Sequence, residues 1–204
     1  LDRSSAASDV YKRQDLLSMT YQLQKVAVFC GSAGGRNSAY AAAARELGKS
    51  LAKRNMDLVF GGGSIGLMGE LSFSALKARG RVFGFTPHFL FAQEKPSNEI
   101  YLQLVNTMAE RKEAIIHAAD AFIVLPGGIG TFEEVFETLS RLHLRQINKA
   151  IGFLNVAGFF DPFLRMFDIM VKEGFVRQDN QKLFCVGDTV SELLDKLAHF
   201  VPFT

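Results

Sequence analysis

One segment of this chain, residues 122–142 (FIVLPGGIGTFEEVFETLSRL), restricts the available folds more than any other. The segment begins within a short apolar run, residues 121–125. Turn residues lie on both sides of this run, and this pattern is typical of a β-strand covered on both faces. The next residues, PGGIG at 126–130, predict a tight loop whose backbone N–H groups can point outward, because glycine lacks a Cβ. A helix with an acidic first turn follows. A helix that begins at the carboxyl end of a parallel strand is a favourable anion site, above all for phosphate.

The start of this helix has two interpretations. Thr131 can cap the helix, with Glu134 three residues later reaching back to the cap N–H in a capping box. Alternatively, the Glu134 carboxylate takes part in function. The sequence leaves both open, but the turn holds more glycine than a helix cap requires, and this favours a phosphate cradle.

Strand-like and helix-like segments alternate along the rest of the chain. The predicted strands are residues 25–30, 57–60, 81–86, 101–105, 121–125, 150–154 and 183–186. Helices are predicted to begin at a Ser38 cap, within 61–69, at Thr107, after the PGGIG loop, at about Asp161 and at a cap supplied by Asp188 or Thr189. Residues 89–99 are predicted to be irregular. This alternation predicts an α/β fold, a Rossmann-like doubly wound parallel sheet in a single domain.

The domain is expected to cover residues 19–204. Residues 1–18, LDRSSAASDVYKRQDLLS, begin without Met and show neither a signal-peptide pattern nor a helical one. We interpret them as a disordered leader or a non-native extension, with Met19 as the expected start.

Charge, hydropathy and cysteine use exclude several classes of function. Lys and Arg number 23 against 21 Asp and Glu, so the net charge of +2 gives no electrostatic basis for binding nucleic acid or anionic membranes. No apolar run approaches the ~20 residues of a membrane-spanning helix. Cys30 and Cys185 lie in separate apolar runs without a CxxC motif, so we expect free, buried thiols in a reducing cytoplasm.

A second glycine-rich turn, GGGS at residues 61–64, follows the second predicted strand. Together with Gly66 it formally satisfies the G-x-G-x-x-G fingerprint of dinucleotide sites. Such a site also needs an acidic residue about 20 positions later, whereas the third strand ends in FTP at 85–87. A nicotinamide cofactor is therefore disfavoured. The turn serves either as a secondary ligand loop or as a means of close helix–sheet packing.

The tripeptide GKS at residues 48–50 resembles the end of a Walker A loop, but the rest of that motif is missing. Position 43 is Ala rather than Gly, and the tripeptide lies near the end of a predicted helix instead of opening one. We therefore assign it no function.

Arg111 and Lys112 fall in the first turns of the helix that Thr107 and Glu110 are predicted to cap. Cations at a helix N-terminus oppose the helix dipole by a few tenths of a kcal/mol. Either a bound anion or a solvated surface pair explains their presence. Three glycine turns, after the first, second and fifth strands, fall at the sheet edge where such folds bind ligands, which favours a nucleotide-sized, phosphate-bearing ligand.

Four segments together resemble one family. They are VFCGS at 28–32, GGGSIGLMG at 61–69, M-x-x-R-K at 108–112 and PGGIGT-x-x-E at 126–134. The chain is similar over nearly its whole ordered length to the LOG family, the cytokinin riboside 5′-monophosphate phosphoribohydrolases, which are often labelled lysine decarboxylases.

The resemblance implies a hydrolase that cleaves the N-glycosidic bond of AMP or of N6-isopentenyl-AMP, giving free base and ribose 5-phosphate. It implies that Arg111 and Glu134 are catalytic, since they occupy the positions of the family's catalytic arginine and glutamate. The substrate-binding residues that it implies are Glu94, Arg111, Lys112, Gly127, Gly128, Ile129, Gly130, Thr131, Phe132, Glu133, Glu134 and Ser140, with Gly61, Gly62, Gly63 and Ser64 as a secondary glycine loop.

These residue types suit that chemistry. A carboxylate can stabilise oxocarbenium character at the anomeric carbon while it orients or deprotonates water. A fixed guanidinium can stabilise the departing base or anchor ribose and phosphate. The reaction needs no metal and no organic cofactor, and His88, His117, His143 and His199 lack the spacing of metal ligands. A decarboxylase would require a Schiff-base lysine on a pyridoxal-binding fold, which the sequence does not support.

Two further questions stay open from the sequence. The same glycine turns would serve a non-catalytic nucleotide carrier or sensor, although an Arg111–Glu134 pair would then be unnecessary. The chain has 19 phenylalanines, of which Phe159, Phe160, Phe163 and Phe167 are clustered near one helix. They form either an aromatic core or a homodimer face, and the family resemblance implies a homodimer.

Overall fold

The structure, a computed structural model, describes residues 23–177 and 183–200. The predicted leader and Met19 lie outside the described residues. Within the described part, seven strands form one parallel sheet in the order β4-β3-β2-β1-β5-β6-β7. The strands are β1 (Lys25–Phe29), β2 (Asp57–Phe60), β3 (Val82–Pro87), β4 (Tyr101–Val105), β5 (Ala121–Val124), β6 (Ala150–Leu154) and β7 (Cys185–Gly187).

Helices cover both faces of this sheet. They are α1 (Ser38–Lys53), α2 (Gly66–Lys77), α3 (Phe91–Glu94), α4 (Met108–Ala118), α5 (Ile129–His143), α6 (Asp161–Lys172) and α7 (Val190–Ala198). The apolar side chains of α1, α2 and α7 form one core against the sheet, and those of α4, α5 and α6 form a second core on the other face. The predicted doubly wound α/β fold is confirmed.

The pairing of β1 with β5 fixes the position of the two loops that matter most. The strand order reverses between these neighbours, and their register sets Phe29 beside Val124. The chain therefore leaves both strands at the same edge, where the Gly31 N–H donates to the Pro126 carbonyl at 3.0 Å. Ligands of open α/β sheets bind in the crevice at such a reversal.

The clustered phenylalanines form an aromatic core. Phe160, Phe163 and Phe167 are buried, and Phe153 of β6 lies between the first two with ring centroids 5.1 and 5.0 Å away. Edge-on and stacked contacts of this kind add to the free energy gained from burying the rings. For these three residues the core interpretation is confirmed, and Phe159 is half-buried beside them.

Two local predictions need correction or refinement. Asn37, not Ser38, caps α1, because its side chain accepts the Ala39 N–H. Residues 89–99 are not wholly irregular, since a 3₁₀ turn (His88–Leu90) leads into α3. The Thr107 and Thr189 caps are confirmed by bonds from the N–H groups of Glu110 and Glu192.

Among the described residues, no helix combines the length and apolarity needed to cross a membrane.

We predict that Gly48→Ala destabilises the fold, although replacing glycine by alanine in a helix interior normally stabilises the helix by about 1 kcal/mol. A Cβ at Gly48 would overlap the Leu71 carbonyl oxygen of α2, so the two helices would have to move apart. We expect a loss of about 1–3 kcal/mol in the free energy of unfolding, measured by urea denaturation.

Gly34→Ala is the matched control, because no described heavy atom lies within 4 Å of a Cβ built there. A Gly48→Ala variant as stable as the Gly34→Ala variant would contradict the close approach of α1 and α2.

Candidate active site

A cavity of about 220 Å³ opens at the edge where the strand order reverses. The end of β1 with the loop that follows it, the turn after β2, the loop after β5, and the helices α2, α3, α4 and α5 all contribute to its wall. The lining residues are Val28, Cys30, Gly31, Ser32, Gly61, Met68, Glu94, Met108, Arg111, Gly128, Ile129, Gly130, Thr131, Glu133 and Glu134. Arg111 and Glu134, which are far apart in sequence, therefore face one common space.

The glycine loop places the start of α5 against this cavity. Gly128 is the N-cap and forms no side-chain cap bond, so the predicted Thr131 cap, and with it the capping-box interpretation of Glu134, is wrong. Thr131 instead packs against Gly127, where a Cβ would collide with the threonine hydroxyl. Among the residues that the structure describes, no side chain caps the first N–H groups of α5, which leaves a helix N-terminus suited to an anion.

Arg111 enters the cavity from the first turns of α4 and is 6% exposed. Its Nη2 donates to the Gly61 carbonyl at 3.0 Å and to Glu94 Oε1 at 3.3 Å, and Nη1 lies 3.8 Å from Met108 Sδ. Its Nε is buried without a partner among the described residues. The surface-pair interpretation is therefore wrong for Arg111, whose position at the helix start is explained by these buried contacts.

The turn after β2 is rich in glycine because other groups occupy the space that its side chains would fill. A Cβ at Gly61 would overlap the Arg111 guanidinium, and one at Gly62, whose φ is +90°, would overlap the Thr86 hydroxyl. Gly61 lines the cavity, whereas Gly62, Gly63 and Ser64 do not. Ser64 fixes the turn through its N–H, which donates to the Glu94 carbonyl at 2.9 Å.

Glu94 ends α3 and is buried beside Arg111. Its Oε1 faces the guanidinium, and its Oε2 lies 3.3 Å from the Thr86 hydroxyl. Burial raises the pKa of the Glu94 carboxyl above its usual value, while the Arg111 charge and the bonds from Thr86 and Arg111 oppose that rise. The sequence placed this acid in an irregular segment, and the structure brings it to the cavity.

Glu134 lies in the second turn of α5 and is half-buried. Burial raises the pKa of its carboxyl to about 7, and the Arg111 guanidinium only partly offsets this. Within 23–177 and 183–200, no group donates a hydrogen bond to this carboxylate. A carboxylate that is poised near neutral pH, faces a cavity and lacks a structural partner is available for chemistry.

Four of the predicted binding residues do not line the cavity. Lys112 forms ion pairs with Glu133 and, at 2.6 Å, with Glu137, so it joins α4 to α5 behind the cavity. Gly127 packs under Thr131, and Phe132 belongs to the aromatic core. Ser140 is exposed and lines a separate groove.

The sequence placed the glycine turn after the first strand at the ligand-binding edge but named no residue at the end of β1 as a site residue. Cys30, Gly31 and Ser32 line the cavity opposite the α5 start, because the pairing of β1 with β5 brings the two loops together. The Gly31-Ser32 turn after an apolar strand was a usable indication. Burial, with a contribution from Glu134, raises the pKa of the Cys30 thiol, which favours the neutral thiol over the nucleophilic thiolate.

Met68 and Met108 give the cavity an apolar wall that sequence reasoning also left out. Met68 lies close to Gly63, and Met108 contacts Arg111. Within the described part of the chain, no group of three or more His, Cys, Asp or Glu residues is arranged to hold a metal ion.

Comparisons with known proteins point to one family. The family model described as "Possible lysine decarboxylase" matches residues 68–197. The chain is 44% identical over 184 residues to the cytokinin riboside 5′-monophosphate phosphoribohydrolase LOG of Oryza sativa subsp. japonica, covering 89% of this chain and 75% of that protein. It is 40% identical over 182 residues to the phosphoribohydrolase LOG2 of Arabidopsis thaliana, covering 89% and 85%.

Solved structures share the fold at lower identity. The molybdenum cofactor carrier protein of Chlamydomonas reinhardtii superimposes with a TM-score of 0.64 at 19% identity, over 85% of this chain and 97% of its own. The molybdenum cofactor binding protein of Rippkaea orientalis gives a TM-score of 0.60 at 17% identity, over 86% and 95%. At these identities the likeness concerns the fold alone.

We predict that Glu134→Gln stabilises the protein at pH 8. In the folded state the pKa of this carboxyl is raised to about 7, so ionised Glu134 disfavours folding above that pH, and protonation removes the cost as the pH falls toward 5. Glutamine has a similar shape and no charge. We expect the thermal midpoint to rise by roughly 3–6 °C at pH 8 and by much less at pH 5.

Circular dichroism melts at both pH values test this prediction. Glu46→Gln, an exposed carboxylate on α1, is the control and should leave both midpoints unchanged. An unchanged or lower midpoint for Glu134→Gln at pH 8 would show that the ionised carboxylate is not disfavoured in the folded protein.

Proposed function

Since this chain belongs to the LOG family of cytokinin riboside 5′-monophosphate phosphoribohydrolases, we propose that it hydrolyses the N-glycosidic bond of AMP or an N6-modified AMP. The products are the free base and ribose 5-phosphate. The rice and Arabidopsis relatives described above, whose names state this activity, match 89% of the chain at 44% and 40% identity.

One observation supports this proposal above the others. Arg111 of α4 and Glu134 of α5 face a common cavity whose third side is an uncapped helix N-terminus. The helix start suits the 5′-phosphate. A phosphate bound there would place the anomeric carbon of the ribose near the carboxylate and the guanidinium. The apolar surfaces of Met68 and Met108 suit the flat base.

The residues can divide the reaction between them. Ionised Glu134 accepts a proton from water, and the water oxygen forms a bond to C1′ as the bond from C1′ to the base nitrogen breaks. The electron pair of that bond goes to the base, which takes up a proton on leaving. Arg111, held by Gly61 and Glu94, stabilises the negative charge that develops on the base or on the bound phosphate.

The decarboxylase description of the family model does not fit the cavity. Pyridoxal chemistry requires a lysine amine that forms a Schiff base. No lysine is found among the described residues that line the cavity, and the nearby Lys112 is engaged with Glu133 and Glu137. The proposed hydrolysis uses the Glu134 carboxylate and the Arg111 guanidinium, both of which line the cavity.

A homodimer in the cytoplasm is the proposed physiological state. Large apolar side chains are exposed along α6 and next to it, with Met166 51%, Ile169 52% and Phe175 85% exposed, and Phe175 lines a groove with Phe136. An exposed apolar surface of this kind is typical of a subunit interface. The cytoplasmic location is supported by the two free cysteines, which suit a reducing compartment.

We predict that the protein releases free base from N6-isopentenyl-AMP or AMP, detected by chromatography. Arg111→Ala and Glu134→Ala should each lower kcat by at least about 10²-fold while the circular dichroism spectrum stays native, because each removes a group that acts on the reacting atoms. Arg165→Ala and Glu46→Ala, at exposed positions on α6 and α1, are the matched controls.

Two results would argue against this activity. Tight AMP binding in calorimetry without any product would favour the nucleotide carrier, the alternative that the sequence left open. Full activity in Glu134→Ala would remove the carboxylate from the mechanism.

We predict a mass of about 45 kDa by size exclusion with light scattering, twice the 22.5 kDa of one chain. Ile169→Glu combined with Phe175→Glu should give the monomer, because a buried charge at an apolar interface is unfavourable. Phe73→Glu, at a 66% exposed position on α2, is the control and should stay dimeric. A wild-type monomer at micromolar concentration would refute the dimer.

A further inference from the structure

Thr86, near the end of β3, lies where three groups of the candidate active site meet. Its hydroxyl oxygen is 3.0 Å from the Gly61 carbonyl and 3.3 Å from Glu94 Oε2. The same carbonyl accepts from Arg111 Nη2, and Glu94 Oε1 faces that nitrogen. Thr86 itself is fully buried and does not line the cavity, so it acts on the cavity only through these neighbours.

The hydroxyl can satisfy these neighbours in two arrangements. When Glu94 is ionised, the Thr86 O–H donates to Glu94 Oε2, and Arg111 alone donates to the Gly61 carbonyl. When Glu94 is protonated, its O–H donates to Thr86, and Thr86 donates to the Gly61 carbonyl beside Arg111. A hydroxyl has one proton to give and lone pairs to accept with, so it serves both states, which neither valine nor alanine can do.

The backbone around Thr86 is shaped for this hydroxyl. Gly62 has φ +90°, and a Cβ there would overlap the Thr86 oxygen, just as a Cβ at Gly61 would overlap the Arg111 guanidinium. The two successive glycines therefore leave room for two polar groups that converge on one carbonyl. This packing requirement explains the glycine-rich turn better than a role in binding a dinucleotide would.

We propose that Thr86 is a positioning residue: its hydroxyl holds the Glu94 carboxyl group against the Arg111 guanidinium whether Glu94 is ionised or protonated. Arg111 is thereby kept at the cavity in one orientation. The consequence for turnover rests on the proposed hydrolase function, but the effect on Glu94 does not. The charged groups that act on Glu94 or share its cavity are Arg111 from α4 and Glu133 and Glu134 from α5.

The test compares Thr86→Val with Thr86→Ser, which keeps the hydroxyl. Thr138→Val is the control for loss of a buried hydroxyl, since Thr138 is also fully buried and donates only to the Glu134 backbone carbonyl. Three quantities are measured: kcat/KM with the nucleotide substrate, the thermal midpoint, and the pH at which Glu94 takes up a proton, followed by the carbon-13 shift of its carboxyl group. Should Thr86→Val fail to fold, Thr86→Ala replaces it.

In Thr86→Val we expect kcat/KM to fall about tenfold, the effect of one hydrogen bond to a charged group. Glu94 should take up its proton at higher pH, because the bond that Thr86 donates to the ionised carboxylate is stronger than the bond that it accepts from the protonated form. Thr86→Ser should stay close to wild type in both quantities. Thr138→Val should leave the Glu94 titration unmoved.

Each alternative outcome decides between the claims. If Thr86→Val keeps the wild-type Glu94 titration, the positioning role is refuted, whatever happens to stability. The same holds if Thr86→Val and Thr138→Val lose activity equally while the titration does not move. If the wild-type protein hydrolyses no nucleotide, the proposed function fails. The Glu94 titration then still decides the role of Thr86.

Discussion

The parallel pairing of β1 with β5 is the interaction on which the site depends. Because the strand order reverses there, two loops leave the sheet side by side without a strand between them, and the bond from the Gly31 N–H to the Pro126 carbonyl holds them together. One loop leads into the uncapped start of α5. Since α5 carries Glu134, and α4, which carries Arg111, packs on the same face of the sheet, both side chains reach one crevice.

Keeping charged groups in that crevice conflicts with stability. Burial disfavours the ionised forms of Glu94 and Glu134, and Arg111 offsets only part of this. The surrounding structure compensates with tight packing and ion pairs. Glycines at 61 and 62 admit the guanidinium and the Thr86 hydroxyl, and Lys112 joins α4 to α5. The burial of these two carboxyl groups therefore lowers the stability of the folded state at a pH where they are ionised.

The sequence predicted the fold well because its elements depend on local patterns. Apolar runs bounded by turns located all seven strands to within about two residues, and the glycine loop placed a helix start at the correct sheet edge. The predictions failed where tertiary contacts determine the position of a side chain. Thr131 packs against Gly127 and does not cap α5. Lys112 does not line the cavity, because it forms ion pairs with acidic side chains of α5. Ser32 was missed, since only the pairing of β1 with β5 brings it to the α5 start.

The most direct test is a crystal structure of the Glu134→Gln variant with AMP bound. We expect phosphate oxygens on the N–H groups at the start of α5, with Arg111 contacting the nucleotide. C1′ should lie within about 3.5 Å of the residue 134 side chain or of a water bound to it. A phosphate held at another edge of the sheet, or a ribose with C1′ turned away from both residue 134 and Arg111, would contradict it.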